Sequence, residues 1–226
     1  MADTIAIQGL RVDCIIGVHE HERHEEQPVL IDVSLSMGLA TAGRSGRLED
    51  TCDYARVAEE LQALLRFRRY ALLEAAAEEC AAMLLGLHPK IEEVMLSFDK
   101  PRALADFGTG ARVTIRRTRT DYPREHEDTV FGHVEILLET EEAGLYLLHV
   151  DPAKAIPPHH HQKMEELEWV ARGELWWNDQ RIPHDRPTTW EKGRVHGYEN
   201  RSGALATVFC CDMPPFIPSD EIEVSR

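Results

Sequence analysis

The stretch ALLEAAAEECAAMLLGLHP (Ala71–Pro89) decides how the first half of the chain folds. Leu73, Ala76, Ala77, Cys80, Met83, Leu84 and Leu87 recur three and four residues apart, the spacing of one helix face. His88-Pro89 stops that helix, because proline steers the residue before it away from helical backbone. A second helix precedes it in YARVAEELQALLRF, with Val57, Leu61, Leu64 and Leu65 on its apolar face. Strands flank the pair. Ile31, Val33, Leu35, Met37 and Leu39 alternate with polar or small residues, the period of a half-buried strand. An earlier strand is expected across Ile5 to Ile16, and two later ones in VMLSFDK (Val94–Lys100) and RVTIRR (Arg112–Arg117). The order ββααββ predicts an antiparallel sheet with two helices on one face.

The segment RTDYPREHEDT (Arg119–Thr129) is polar and shows no period. We read residues 121–129 as a linker between a domain over 1–120 and another over 130–226. Beyond it the helical signal stops. Short runs such as VEILLE, LYLLHV, LEWVARGELWW and ALATVFCC are separated by Gly, Pro, Asn and Asp, which predicts an all-β barrel or sandwich.

The formal charge of the 226 residues is −15. Residues 1–120 hold 15 Lys+Arg against 19 Asp+Glu, and residues 121–226 hold 10 against 21. Both halves are acidic, which argues against nucleic acid as a partner. No apolar run approaches the length of a membrane span, and no basic, greasy leader opens the sequence, so neither a membrane partner nor export is expected. Five cysteines without C-x-x-C spacing suit reduced thiols and a cytoplasmic location.

Three polar residues of the first half stand out. Lys100 ends a strand on the face of Val94, Leu96 and Phe98, Glu74 opens an apolar helix, and Tyr54 opens the other. Singly each has an ordinary reading: a snorkelling lysine, a glutamate at a helix dipole, a residue at an element end. Together, GLRVDCIIGVHEHERHEEQPVLIDVSL, LEDTCDYARVAEEL, YALLEAAAEECA and FDKPRAL resemble the dihydroneopterin aldolase family over about residues 3–118. The resemblance implies the α+β ββααββ tunnelling fold (T-fold) and a homo-oligomer with active sites between neighbouring subunits. It implies a cofactor-independent aldehyde-lyase that splits 7,8-dihydroneopterin into 6-hydroxymethyl-7,8-dihydropterin and glycolaldehyde. Neither metal nor Schiff base is needed, since the ring imine accepts the electrons and the protein moves protons. Lys100 and Tyr54 match the family's acid–base pair, and Glu22 the glutamate that reaches the substrate's hydroxylated tail. Glu74 matches the carboxylate that accepts the pterin's paired donors, while Leu73, Cys52 and Gln27 match substrate-lining positions. Ala105 stands where the family often has proline. Related proteins act as 2′-epimerases on dihydroneopterin triphosphate, and a non-catalytic pterin-binding relative or an oligomeric scaffold are the other readings.

The run VHEHERHEEQ (Val18–Gln27) looks like a metal site, but His19, His21 and His24 have no counterpart in the family motif. We read it as a solvated loop with Glu22 as its exception.

A second histidine run, PPHHHQKMEELEWVARGEL, and the later GRVHGYEN resemble the two motifs of the cupin superfamily. That implies an all-β cupin barrel with His159, His161, Glu166 and His196 holding a divalent metal (Mn, Fe, Ni, Co or Zn). Glu165 fits one permitted spacing, but Glu166 keeps six residues before Gly173. Ala153 and Glu191 replace a motif glycine and proline. The role of this half is not specified by its motifs.

Overall fold

The computed structural model describes residues 3–184 and 186–224; the outer ends of the two expected domains, Met1 and Arg226, lie outside them. It divides into two compact units, residues 1–122 and 123–226. Among the described residues no helix is long and apolar enough to cross a membrane.

In the first unit, β1 (Thr4–Cys14), β2 (Gln27–Ser36), β3 (Glu93–Lys100) and β4 (Ala111–Thr118) form one antiparallel sheet in sequence order. Between β2 and β3 run α1 (Ala40–Ser45), α2 (Tyr54–Arg68) and α3 (Leu73–Leu87). The expected ββααββ order is the observed one. The six-residue α1 is an addition, too short to leave a period in the sequence. Asp53 caps α2 by accepting from the backbone N–H groups of Ala55 and Arg56 at 3.0 and 3.4 Å. Its apolar stripe and that of α3 pack on the inward face of the sheet, α2 against β1 and α3 against β3 and β4. Val57, Leu61, Leu64, Ala76, Cys80 and Leu84 on the helices and Val33, Val94, Leu96 and Phe98 on the sheet are all at most 2% exposed. Burial of one such large side chain contributes about 1.5–3 kcal/mol.

The turn from α2 to α3 is fixed by a buried ion pair. Arg68 Nε and Nη2 donate to the two Glu79 oxygens at 2.8 and 2.9 Å, and the Tyr70 hydroxyl adds a bond of 2.7 Å. The Tyr70 carbonyl then accepts from the Gly17 N–H at 3.0 Å and from Arg23 at 2.8 Å. The loop after β1 is thereby tied to the start of α3.

The second unit is all β. Its strands are β5 (Glu125–Thr129), β6 (Gly132–Glu139), β7 (Gly144–Val150), β8 (Ala155–His160), β9 (Glu165–Arg172), β10 (Trp176–Trp177), β11 (Gln180–Arg181), β12 (Thr188–Trp190), β13 (His196–Glu199), β14 (Ala206–Met213) and β15 (Ile222–Glu223). One sheet runs β11-β10-β13-β8-β15 and the other β12-β9-β14-β7-β6-β5. Val150, Ile156, Val170, Leu175, Tyr198 and Val208 form an apolar cluster drawing on strands of both sheets. The linker expected at 121–129 is corrected here. Glu125–Thr129 pair antiparallel with Gly132–Ile136 as the edge of the larger sheet. An edge strand can be wholly polar, so it lacks the apolar alternation by which strands are recognised.

Candidate functional site

The first site forms where β1 and β3 end. Lys100, the last residue of β3, is 9% exposed and its ammonium donates to Glu22. Glu22 lies in a short helical turn, Glu20–Arg23, and is the buried member of that charged run. Its other oxygen accepts the His19 N–H at 3.1 Å. Gln27, the first residue of β2, donates to the Ile16 carbonyl at 2.6 Å and to Glu22 at 3.3 Å. Burial pushes the Glu22 carboxyl up, but Lys100, the His19 amide and Gln27 outweigh it and hold the group at about 2.

Gly17 is what lets this cluster close. Its φ is +139°, and a Cβ there would overlap the Glu22 carboxylate and lie 2.7 Å from Lys100 Nζ. Gly17→Ala is expected to cost about 1–3 kcal/mol, by analogy with other strained backbone positions. A thermal melt would show it as a lowered midpoint; an unchanged midpoint would mean that the carboxylate moves aside freely.

The remaining residues of the expected site are placed unevenly. Leu73 is buried and Glu74 exposed in the first turn of α3, next to the Tyr70 carbonyl that holds Gly17. The Glu74 carboxylate has no hydrogen-bond partner among the described residues. Cys52 is buried, its sulfur 3.9 Å from His88 Nδ1, and His88 Nε2 lies 2.7 Å from Glu60. Tyr54 is 61% exposed at the start of α2, and no hydrogen bond joins it to Lys100. Motif spacing did not single out Arg23, Tyr70 or the Arg68–Glu79 pair. They act through backbone carbonyls or at a distance, and leave no pattern of their own.

The second site lies between the two sheets. One ligand atom each from His159, His161, Glu166 and His196 falls within 4.8 Å of the others, and all four residues are buried. Each ring is turned by a backbone carbonyl on Nδ1: Pro157 for His159 at 2.8 Å, Asp220 for His161 at 3.1 Å and Arg194 for His196 at 3.2 Å. A carbonyl only accepts, so each Nδ1 carries the proton and each Nε2 presents a lone pair. Glu166 lies 3.2 Å from His161 Nε2 and 3.0 Å from His196 Nε2. Even so, those two nitrogens and Glu166 Oε2 are buried without a hydrogen bond of good geometry. Three buried atoms facing one another unpartnered are what a cation would satisfy. The donor set, three imidazoles and one carboxylate, suits Mn, Fe, Co, Ni or Zn.

Of the two glutamates that motif spacing left open, Glu166 is the one in the cluster. Burial and the neighbouring His196 lower His159 to about 4. Behind the cluster, Trp190 stacks on His196 at 4.7 Å and donates to Glu168 at 2.6 Å. Burial and the charge of Glu166 push both Glu168 and Asp212 up. Glu168 was readable as the strand neighbour two residues from Glu166, which places both on one face. His19, His21 and His24 join no cluster of metal-binding geometry among the described residues.

The family model for dihydroneopterin aldolase (FolB) matches residues 5–116. A dihydroneopterin aldolase from Methylorubrum extorquens is 36% identical over 125 residues, covering 54% of this chain and 94% of the relative. A putative dihydroneopterin aldolase from Vibrio cholerae aligns over 53% of this chain and 99% of its own, with 28% identity and a TM-score of 0.50. A sugar phosphate isomerase of the cupin superfamily from Silicibacter pomeroyi aligns over 35% of this chain and 59% of its own, with 17% identity and a TM-score of 0.31.

Proposed function

The chain belongs to the dihydroneopterin aldolase family, and on that premise we propose how its residues cleave 7,8-dihydroneopterin, a step in folate biosynthesis. The observation that carries the reading is the buried Glu22–Lys100 pair, closed by Gln27 and by the Gly17 loop. The 2′-hydroxyl gives up its proton as the C1′–C2′ bond breaks and glycolaldehyde leaves. The bonding electrons run through C1′ into the ring imine, giving a C6=C1′ double bond, and C1′ is then reprotonated as the imine reforms, leaving 6-hydroxymethyl-7,8-dihydropterin. Lys100 and Tyr54 handle these protons, and Glu22 orients Lys100 and the hydroxylated tail. Glu74, unpartnered at the start of a helix, accepts the amino and ring N–H of the pterin as a parallel pair. Leu73, at the same helix start, and Cys52 line the ring. Tyr54 faces solvent in its own subunit, so a neighbouring copy completes the site with it.

The test is incubation of the full-length protein with dihydroneopterin and with its triphosphate, following cleaved and epimerised products together. Glycolaldehyde released from dihydroneopterin supports the aldolase; epimerised triphosphate without cleavage would replace it with the epimerase reading. Glu22→Gln is expected to slow cleavage by about tenfold or more, while His21→Ala changes it little. The same variant has a pH signature. The Glu22 carboxyl sits below its ordinary 4.5, at about 2. Its stabilising pairing is therefore fully present above about pH 4.5 and lost as the pH falls towards 2. Acid titration of unfolding should be steeper over that window in the parent than in Glu22→Gln.

For the second unit the supported function is metal binding by His159, His161, Glu166 and His196. A bound divalent ion would supply Lewis-acid polarisation of a ligand oxygen. The protein's own part is to fix each imidazole through its Nδ1 carbonyl bond and to keep the cavity wall around the site.

A further inference from the structure

The cavity that opens onto this cluster has a charge pattern that metal binding does not explain. It encloses about 410 Å³. Besides the ligating residues, six acids line it: Glu125, Glu127, Glu139, Glu168, Asp212 and Glu221. No lysine or arginine lines it among the described residues. The rest of the wall is largely apolar, with Phe131 and Phe216 among its members. Glu125 and Glu127 come from the polar edge strand β5, while Glu168 and Asp212 are each 2% exposed on β9 and β14. At the floor, His161 Nε2 and Glu166 Oε2 are buried and without hydrogen-bond partners.

A ligand here must be recognised by carboxyl groups. Ionised, they accept hydrogen bonds and repel anions; protonated, they both donate and accept. In neither state do they supply the fixed positive charge that a carboxylate or phosphate needs when it leaves water. Hydroxyl groups satisfy them in both states. The volume matches a molecule of about monosaccharide size or somewhat larger.

We propose that the second unit's cavity takes a small polyhydroxylated molecule without an anionic group, and that its carboxyl wall rejects acid and phosphate analogues. This deepens the metal-site reading by naming a ligand class for the same cavity. A divalent ion on the histidines would add two positive charges, one of them offset by Glu166, against the six further carboxyl groups of the wall, so the charge balance still disfavours an anion.

The test uses the full-length protein, with metal content measured on each sample. D-glucose, D-glucosamine and D-glucuronate are three pyranoses of similar size that differ in charge. Each is titrated by calorimetry and by saturation-transfer NMR. Glucose and glucosamine are expected to bind, with glucuronate at least tenfold weaker. Glu125→Lys combined with Glu127→Lys, on an exposed edge strand, should raise glucuronate affinity at least threefold and weaken glucosamine. Glucuronate binding as tightly as glucose, no sugar binding at all, or a lysine pair that leaves the ratios unchanged would each overturn the proposal. Sugar discrimination by a protein that takes up no metal under any loading condition would strike the metal reading and leave this one standing.

Discussion

Replacing Lys100 with alanine is expected to lower the rate of glycolaldehyde release from dihydroneopterin by on the order of 10²–10⁴, the usual contribution of a positioned proton-transfer group. The loss should fall on kcat rather than on pterin binding, because ring recognition is assigned to Glu74, on another element. Lys100 also neutralises Glu22, so alanine leaves a buried carboxylate without its cation. The variant therefore needs two controls. Its thermal midpoint shows whether the unit still folds. Lys100→Ala with Glu22→Gln removes the uncompensated charge and should restore stability without restoring turnover. A single variant that cleaves as fast as the parent would remove Lys100 from the chemistry.

The second large effect concerns the other unit. Purified without a tag, the parent is expected to carry up to one divalent ion per chain, read by elemental analysis. His196→Ala should weaken metal affinity by more than the ~10–100-fold typical of losing a partner that only orients a ligand. Stripping the parent with a chelator should lower its thermal midpoint, since a ligand that binds only the folded state stabilises it. The same treatment should leave His196→Ala unmoved. A parent that holds no metal under any loading condition would show that the four residues serve packing alone.

Much of the first unit was legible because its elements are long and amphipathic. The two helices each bury an apolar stripe, and β2 and β3 alternate cleanly, so period alone orders them. Lys100 could be placed at a strand end, on the buried face. Its partnership with Glu22, 78 residues away in sequence, could not be read from local pattern. Tyr54 shows the complementary difficulty: helical spacing places it at a helix start, but nothing local says what it faces in an assembly. In the second unit the spacing to Gly173 favoured Glu166 over Glu165, and the cluster geometry places Glu166 among the histidines. The polar edge strand escaped, because Glu-His-Glu-Asp-Thr has no apolar member to mark an inward face. Its inward direction is set by a cavity lined with acids.

That strand bears on how the chain can be divided. The first compact unit ends at Tyr122 and the second begins at Pro123, so only Pro123 and Arg124 precede the first residue of β5. A truncation at residue 130 would strip away β5 and leave the edge of β6 facing away from β7 unpaired, open to pairing with other molecules. The isolated fragment would then aggregate for a reason unrelated to its chemistry. A cut before Pro123 keeps the hairpin whole and carries Glu125 and Glu127 along with the cavity they line.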